Sequence, residues 1–339
     1  MATHREIRLR TRPERGLPAP EHLALVTTAR PVPAPDEVLV RNRWFAVSAA
    51  LRTLIGGAVK GAPFPPVEPG DPLFGAAVGE VVSAPDGSGL RSGDLVSHWQ
   101  GWREYAAVSP SLCTPLGDAL PDPVAHLSQG RTAYAALTRG ADVRAGDTVL
   151  VTGGAGAVGT MAGQIARLLG AGRVIGSTGS PAKAERLVTE LGYDAVLVRG
   201  APVPFAAQLA EAAPDGIDVV LDTVGGEQLG AAVAAARPGA RAVLVGALSG
   251  QLNPEGTGAT ARVELDSYPL VLKRISLRGF SPLDHPETEA EWRDRFGGWL
   301  RAGTITFPHV RVAGMERAAE ALREVMRGRY LGAVVVELP

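Results

Sequence analysis

Thr148-Val-Leu-Val-Thr-Gly153-Gly-Ala-Gly156-Ala-Val-Gly159 is the stretch whose reading decides the fold. A short apolar, β-prone run enters a glycine cluster, and helical spacing follows from about Ala157 to Leu169. A strand that turns through glycines into a helix is the geometry a dinucleotide loop requires. Gly153 allows the tight turn, Gly156 lets backbone approach a pyrophosphate, and Gly159 lets the helix pack closely on the strand. Ala157 and Val158 sit where the helix opens, and the free N–H groups there favour an anion.

Outward from this loop the pattern repeats. Strands are expected at Arg173–Ser177, Ala195–Val198, Ile217–Asp222 and Arg241–Leu248. Helices are expected at Pro181–Leu191, Pro204–Ala212 and Gly226–Ala236, with helical spacing also over His126–Arg139. Strands alternating with helices imply βαβ units and a doubly wound parallel sheet. An NAD site places an acid at the end of the second strand, on the ribose hydroxyls. Here that end reads Gly176-Ser-Thr178-Gly-Ser180-Pro-Ala-Lys183, with no acid before Glu185. Ser180 is placed to cap the next helix with Pro181 in its first position. The hydroxyls of Thr178 and Ser180 and the ammonium of Lys183 suit a 2′-phosphate, so the cofactor expected is NADPH.

Before about residue 125 the signal is different. Glu37-Val-Leu-Val-Arg41, Gly75–Ser83 and Gly93–Trp99 read as short strands between dense Gly, Pro and Asp turns, which suggests a small β-barrel. The tail, Val310–Pro339, offers a helix over Met315–Arg327 and a last strand over Gly332–Leu338, and is assigned back to this first domain.

The 339 residues are too many for one ordinary core. With 34 basic against 35 acidic residues, nothing electrostatic favours nucleic acid or an anionic membrane. No apolar run is long enough to span a bilayer, and the charged N-terminus lacks a signal-peptide core. The single cysteine, Cys113, excludes an internal disulfide, which fits a reducing cytoplasm, and no pattern supports it as a nucleophile. The six histidines show no ligand spacing, so no metal is expected. His98, beside Trp99 and Trp102, reads either as a proton donor or as a packing residue at a barrel edge. Asp284-His-Pro-Glu287 reads as a surface loop.

The chain also resembles a known family. Glu37-Val-Leu-Val-Arg-Asn42, Gly93-Asp-Leu-Val96, Gly101-Trp-Arg-Glu-Tyr105, Gly130-Arg-Thr-Ala-Tyr134, the stretch Gly146–Gly159, Gln164-Ile-Ala-Arg167, Asp222-Thr-Val-Gly-Gly-Glu227 and Lys273-Arg-Ile-Ser-Leu-Arg-Gly-Phe280 occur in the family's order along the whole chain. It is similar to the zinc-independent medium-chain dehydrogenase/reductases, in the branch of prostaglandin reductase (leukotriene B4 dehydrogenase) and the plant alkenal double-bond reductases. The resemblance implies an α/β protein: a GroES-like barrel over residues 1–125, completed by 307–339, and a Rossmann domain over 126–306, with NADPH in the cleft between them. It implies hydride addition to the C=C bond of an α,β-unsaturated carbonyl compound, and a homodimer joined near Ile275–Phe280. It adds Arg199, Gly246 and Phe280 to the cofactor site. The zinc-ligand places of the wider superfamily read Ser48 and Gly79-Glu80.

Departures from the branch concern the reacting end. Its Asp-Pro-Tyr-Met-Arg segment is Val47-Ser-Ala-Ala-Leu-Arg52 here, with Ala50 at the aromatic hydroxyl. The tyrosine before the Lys-Arg pair is Leu272, and Tyr268, one helical turn earlier, is the candidate to supply that hydroxyl. The terminal Asn-x-Gly-Lys reads Tyr330-Leu-Gly-Ala333. Ala49, Ala50, Leu51 and Leu272 would line a pocket for a small apolar conjugated carbonyl or a quinone. A zinc-free quinone reductase, a biosynthetic reductive cyclase and a non-catalytic NADPH-binding protein are the alternatives.

Overall fold

The computed structural model describes residues 2–339. The chain divides into two compact units, one ending at Ser128 and taking up His309–Pro339, the other covering Gln129–Pro308. The domain boundaries thus fall two or three residues later than those expected from sequence.

The first unit begins with an antiparallel pair, β1 (Thr3–Leu9) and β2 (Leu23–Ala29), which the turn-rich sequence did not announce. Strand β3 (Val38–Val47) is the spine of the unit, and helix α1 (Leu51–Gly56) follows it. Strands β4 (Ala77–Ser83), β5 (Leu95–His98), β6 (Tyr105–Val108) and β7 (Thr114–Pro115) complete the run. β3 is long enough for two partners along one edge: β6 pairs with Val38–Arg41, and the C-terminal strand pairs with Trp44–Val47. Val38, Val40, Val81, Val96, Ala106, Val108 and Cys113 form its apolar core. Cys113 is a small core residue whose thiol burial pushes up to about 11, which makes it a poor nucleophile.

The region expected to be helical over His126–Arg139 runs from the first unit into the second and is broken into three. A 3-10 turn at Pro123–Leu127 is capped by Asp122, whose carboxylate accepts from Val124 N at 2.9 Å. Helix α2 (Gly130–Ala135) follows and widens into a π-turn at Ala136–Gly140. A Cβ at Gly140 would lie 2.6 Å from Val243, so only glycine lets this turn approach the sheet. The βαβ series then runs β8 (Thr148–Val151), α3 (Gly159–Leu168), β9 (Arg173–Thr178), α4 (Pro181–Leu191), β10 (Ala195–Val198), α5 (Phe205–Ala212), β11 (Ile217–Asp222), α6 (Gly226–Ala234) and β12 (Ala236–Leu244). β12 begins five residues before the strand expected at Arg241, because Ala236 already pairs with Ile217. The short helices α7 (Leu248–Gln251) and α8 (Ser267–Lys273), edge strand β13 (Ser276–Gly279) and helix α9 (Thr288–Arg301) close the unit. Between β13 and α9 the segment expected as a loop contains a 3-10 turn, Pro282–Asp284, and His285 stacks on Phe280 with ring centroids 5.0 Å apart.

The tail adds β14 (His309–Ala313), α10 (Ala318–Met326) and β15 (Ala333–Glu337). Ala333–Val336 are all buried, and β15 pairs antiparallel with β3, Val334 opposite Val47. The tail therefore belongs to the first unit.

The parallel sheet has the order β10-β9-β8-β11-β12-β13. That is the doubly wound order in which the strand sequence reverses between β8 and β11, and ligands bind beyond the carboxyl ends of strands at such a reversal. β8, β9 and β11 are almost wholly buried, as strands covered by helices on both faces must be.

Candidate functional site

The loop from Thr152 to Val158 lies at the reversal of the sheet and is held from three sides. From β9, Ser177 Oγ accepts from Gly153 N at 2.9 Å while donating to Gln228 Oε1 at 2.6 Å, and Ser177 O accepts from Gly154 N at 2.8 Å. From β11, Asp222 is fully buried and accepts from Thr152 Oγ1 at 2.6 Å and from Gly225 N at 2.9 Å. Burial raises the Asp222 carboxyl above its ordinary value, against the pull of Thr152 and the Gly225 and Val224 amides. Thr223 Oγ1 donates to Thr152 O at 2.8 Å and closes the ring. The glycine pair after Val224 has a backbone reason: Gly225 and Gly226 have φ of 72° and 58°. Ser177, Gln228, Thr152 and Thr223 were not singled out by sequence; only Asp222-Thr-Val-Gly-Gly hinted at them.

Each glycine of the motif has a distinct neighbourhood. Gly153 has φ 64°, and a Cβ there would lie 2.6 Å from Thr223 Oγ1. A Cβ on Gly159 would run into the Gly153 carbonyl and sit 2.6 Å from Gly154 Cα, so this glycine lets α3 close on the loop. At Gly156 the added Cβ meets only Gly153 O, at 3.3 Å. Gly156 is therefore the glycine whose bareness the fold itself does not demand. No side chain caps α3, which leaves the amides near Ala157 and Val158 to an anion. Tyr193 steadies α3 from below: its hydroxyl donates to Gly159 O at 2.7 Å, and Gly163 and Gly176 make room for its ring.

At the end of β9, Thr178, Ser180, Lys183 and Arg199 come together. Ser180 caps α4, its Oγ accepting from Lys183 N, and Thr178 Oγ1 accepts from Ser180 N at 3.3 Å. Each hydroxyl thus serves the backbone as an acceptor and keeps its proton to donate outward. Arg199 N donates to Thr178 O at 2.8 Å, and its guanidinium lies over Gly179, where an added Cβ would meet Nη2 at 3.1 Å. The Arg199 guanidinium and the Thr178 and Ser180 hydroxyls thus lie at the end of β9, and Lys183 stands in the first turn of α4, a set of residues that fits a phosphate dianion.

Gly246 follows β12, where a Cβ would lie 2.9 Å from Thr223 O. It therefore belongs to the same strand ends as Gly153. Phe280 lies beyond β13, its N–H donating to Leu244 O at 2.9 Å. In the first unit, Ala49 and Ala50 stand at the surface before α1, but Leu51 is only 4% exposed and packs inward. Tyr268 and Leu272 both lie on α8, 69% and 58% exposed.

Residues 157–295 match the family described as zinc-binding dehydrogenase, and residues 5–116 match the N-terminal domain of oxidoreductase. The NADPH-dependent curcumin reductase of Escherichia coli is 30% identical over 97% of this chain and 95% of its own. The 2-alkenal reductase (NADP(+)-dependent) of Nicotiana tabacum is 29% identical over 89% of this chain and 86% of its own. The chain is a zinc-independent medium-chain dehydrogenase/reductase. A crystal structure of CurA in complex with NADPH from Vibrio vulnificus matches this reductase with TM-score 0.89 and 29% identity, covering 99% of both chains. The reductase is an NADPH-dependent oxidoreductase with a Rossmann domain and a GroES-like domain.

The residues on hand fit that cofactor. The loop glycines and the start of α3 suit the pyrophosphate, and Thr178, Ser180, Lys183 and Arg199 suit the 2′-phosphate. Bound NADPH supplies a hydride; the protein supplies binding and orientation. Among the described residues no three His, Cys, Asp or Glu side chains gather as a metal site would require.

Replacing Lys183 or Arg199 with alanine should weaken NADPH binding by about ten- to a hundredfold, the worth of one charge-assisted contact, and change NADH binding little. Titration of both cofactors against each variant checks this. Equal losses for both would remove these side chains from the 2′-phosphate.

His98 is not a free proton donor. It is 3% exposed, its Nδ1 accepts from Gln100 N at 3.0 Å, and its Nε2 faces Asn42 Oδ1 at 2.8 Å. Asn42 Nδ2 in turn donates to Gln100 O and Arg103 O. This arrangement makes the ring the neutral Nε2–H tautomer, and burial, helped by Arg103, lowers its pKa to about 4.

Proposed function

We propose that this reductase is an ene-reductase, adding hydride to the β-carbon of an α,β-unsaturated carbonyl compound. The observation that carries the reading is the near full-length likeness to a 2-alkenal reductase and a curcumin reductase, with the cofactor loop intact. The chemistry supports it. Oxidising an alcohol needs a group to hold and deprotonate the hydroxyl, through a metal or a Tyr-x-x-x-Lys pair. Tyr268 is followed by Leu272 and Tyr134 by Thr138, so neither makes that pair. A conjugated acceptor asks less: the β-carbon is already electrophilic, the charge moves to the carbonyl oxygen, and the α-carbon takes a proton from water. Ala49 and Ala50 are small residues in the first unit, and Leu272 is an exposed apolar side chain of the second.

The test is product analysis beside metal analysis. A saturated ketone from a small enone, activity insensitive to chelators and no stoichiometric zinc are expected. An allylic alcohol product, or bound zinc, would overturn the reading. Asp222-Thr-Val-Gly-Gly fits a zinc-free quinone reductase equally, and a quinone beside the enone in the same assay separates the two.

The exposed Tyr268 hydroxyl stands at the head of α8, one turn from the family's place for it. Tyr268→Phe is expected to lower kcat less than about tenfold; loss of a full oxyanion donor would cost about 10²–10³. A hundredfold loss with unchanged NADPH affinity would make Tyr268 the catalytic donor.

We further infer a homodimer joined along β13. Its four residues are exposed, and Leu277 is the large apolar one among them. An unpaired edge strand of this kind is a template for a second copy. One buried, unreactive thiol suits a reducing cytoplasm.

A further inference from the structure

We infer that the first unit binds a small organic monocarboxylate in a cavity beside β1, with Arg103 as the group that holds the carboxylate. The cavity has a volume of about 350 Å³, and His4, Glu6 and Arg8 from β1 and Arg103 and Tyr105 from the segment before and into β6 line it. That volume lies within the range of small-molecule sites, about 300–1,000 Å³. Residues 4, 6 and 8 share one face of a strand, and Ile7 and Leu9 on the other face enter the core. The Gly101-Trp-Arg-Glu-Tyr105 segment runs antiparallel to β1, with a bridge between Glu6 and Arg103. Every lining residue belongs to the first unit, whereas the loop glycines and the residues at the end of β9 belong to the second.

The charges of the lining do not cancel. Glu6 Oε1 accepts from Arg8 Nε at 2.7 Å and lies 2.6 Å from Arg8 Nη2, so these two groups neutralise each other. Glu104, the other carboxylate nearby, is paired with Arg5 at 2.7 Å. Arg103 is left with neutral acceptors: its Nε donates to Gly101 O at 3.4 Å and its Nη2 to Leu73 O at 3.0 Å. Burial lowers its pKa, and Glu6 and Arg8 act on it in opposite directions, so the pair beside it does not compensate its charge. The guanidinium nonetheless stays protonated, and a half-buried cation calls for a counter-charge. His4 is 4% exposed, its Nε2 lies 3.9 Å from Glu6 Oε2, and its Nδ1 has no hydrogen-bond partner. Burial lowers the pKa of this ring further than Glu6 and Glu104 raise it, so His4 adds no charge at neutral pH. A buried nitrogen without a partner is rare in a folded protein and leaves a place for a second polar group. Arg30, over the Tyr105 ring at 4.2 Å, is a further cation beside the lining. Pro31, Pro72 and Ala106 complete the boundary with apolar surface. Two guanidiniums against one carboxylate leave one positive charge in the lining, which matches a monocarboxylate, and the apolar boundary suits its carbon chain.

The test titrates the NADPH-bound reductase by calorimetry with butanoate and with butanamide, its neutral isostere, at matched sodium chloride. Butanoate should bind at least about tenfold more tightly than butanamide, the worth of one charge-assisted contact. Arg103→Gln should lose about ten- to a hundredfold in butanoate affinity and keep the NADPH affinity of the wild type. Because Arg103 also holds two backbone carbonyls, Glu6→Gln is the complementary variant. It leaves Arg8 without its carboxylate and adds a positive charge to the cavity. Butanoate should then bind roughly tenfold more tightly, a gain that damage to the fold cannot produce. Equal binding of acid and amide, no binding of either, or an unchanged butanoate affinity in Glu6→Gln would overturn the inference. Inorganic phosphate binding as tightly as butanoate would overturn the assignment to an organic acid.

Discussion

Replacing Gly156 with valine is expected to abolish NADPH binding while leaving the fold standing. The structure separates these two consequences. At Gly156 an added Cβ meets only the Gly153 carbonyl, at 3.3 Å, so the unliganded loop can hold a side chain after a small adjustment. A valine there nevertheless occupies the space where backbone must approach the pyrophosphate. Affinity should fall by about a hundredfold or more, with the melting temperature nearly unchanged. Gly159 makes the opposite demand. A Cβ there collides with backbone of Gly153 and Gly154, so even Gly159→Ala should destabilise the protein before cofactor is added. Fluorescence titration with NADPH beside thermal melts distinguishes the two variants. Tight NADPH binding by Gly156→Val would show that the pyrophosphate does not cross this loop.

The second large effect concerns acid. His98 has an ordinary pKa of 6.5, lowered in the fold to about 4. Between these values the unfolded chain takes a proton that the folded chain refuses. The neutral imidazole's contribution is therefore complete above about pH 6.5 and is lost as pH falls towards 4. The gap amounts to about 3 kcal/mol for a group as buried as this one. His98→Gln keeps a donor towards Asn42 Oδ1 but cannot titrate. Urea unfolding at pH 7 and pH 4.5 should show most of that loss in the wild type and a flatter dependence in the variant. Parallel dependences would mean that His98 is not the group that titrates.

The sequence alone determined the cofactor half of this reductase. Its signals are local: a strand, three spaced glycines and a helix start within a dozen residues dictate backbone shape without help from distant parts of the chain. Ser180 with Pro181 is a cap that can be read in place, and β10, β11 and α4 begin and end at the residues expected. The doubly wound order followed from the alternation of strands and helices. The rest of the protein was less legible because its contacts are made across the sequence. Asn42 and His98 are 56 residues apart, and only their bond at 2.8 Å reveals a buried neutral ring where the sequence left a proton donor open. Even in the cofactor half, Ser177 and Gln228 are 51 residues apart, and only the folded chain shows that they hold Gly153 in place. Leu51 looked like a pocket residue beside Ala49 and Ala50, but the first turn of α1 carries it into the core. Strand register sets Phe45 opposite Ala77 and Ala77 opposite His98, because pairing is set by burial of a whole face and not by any neighbour in the chain.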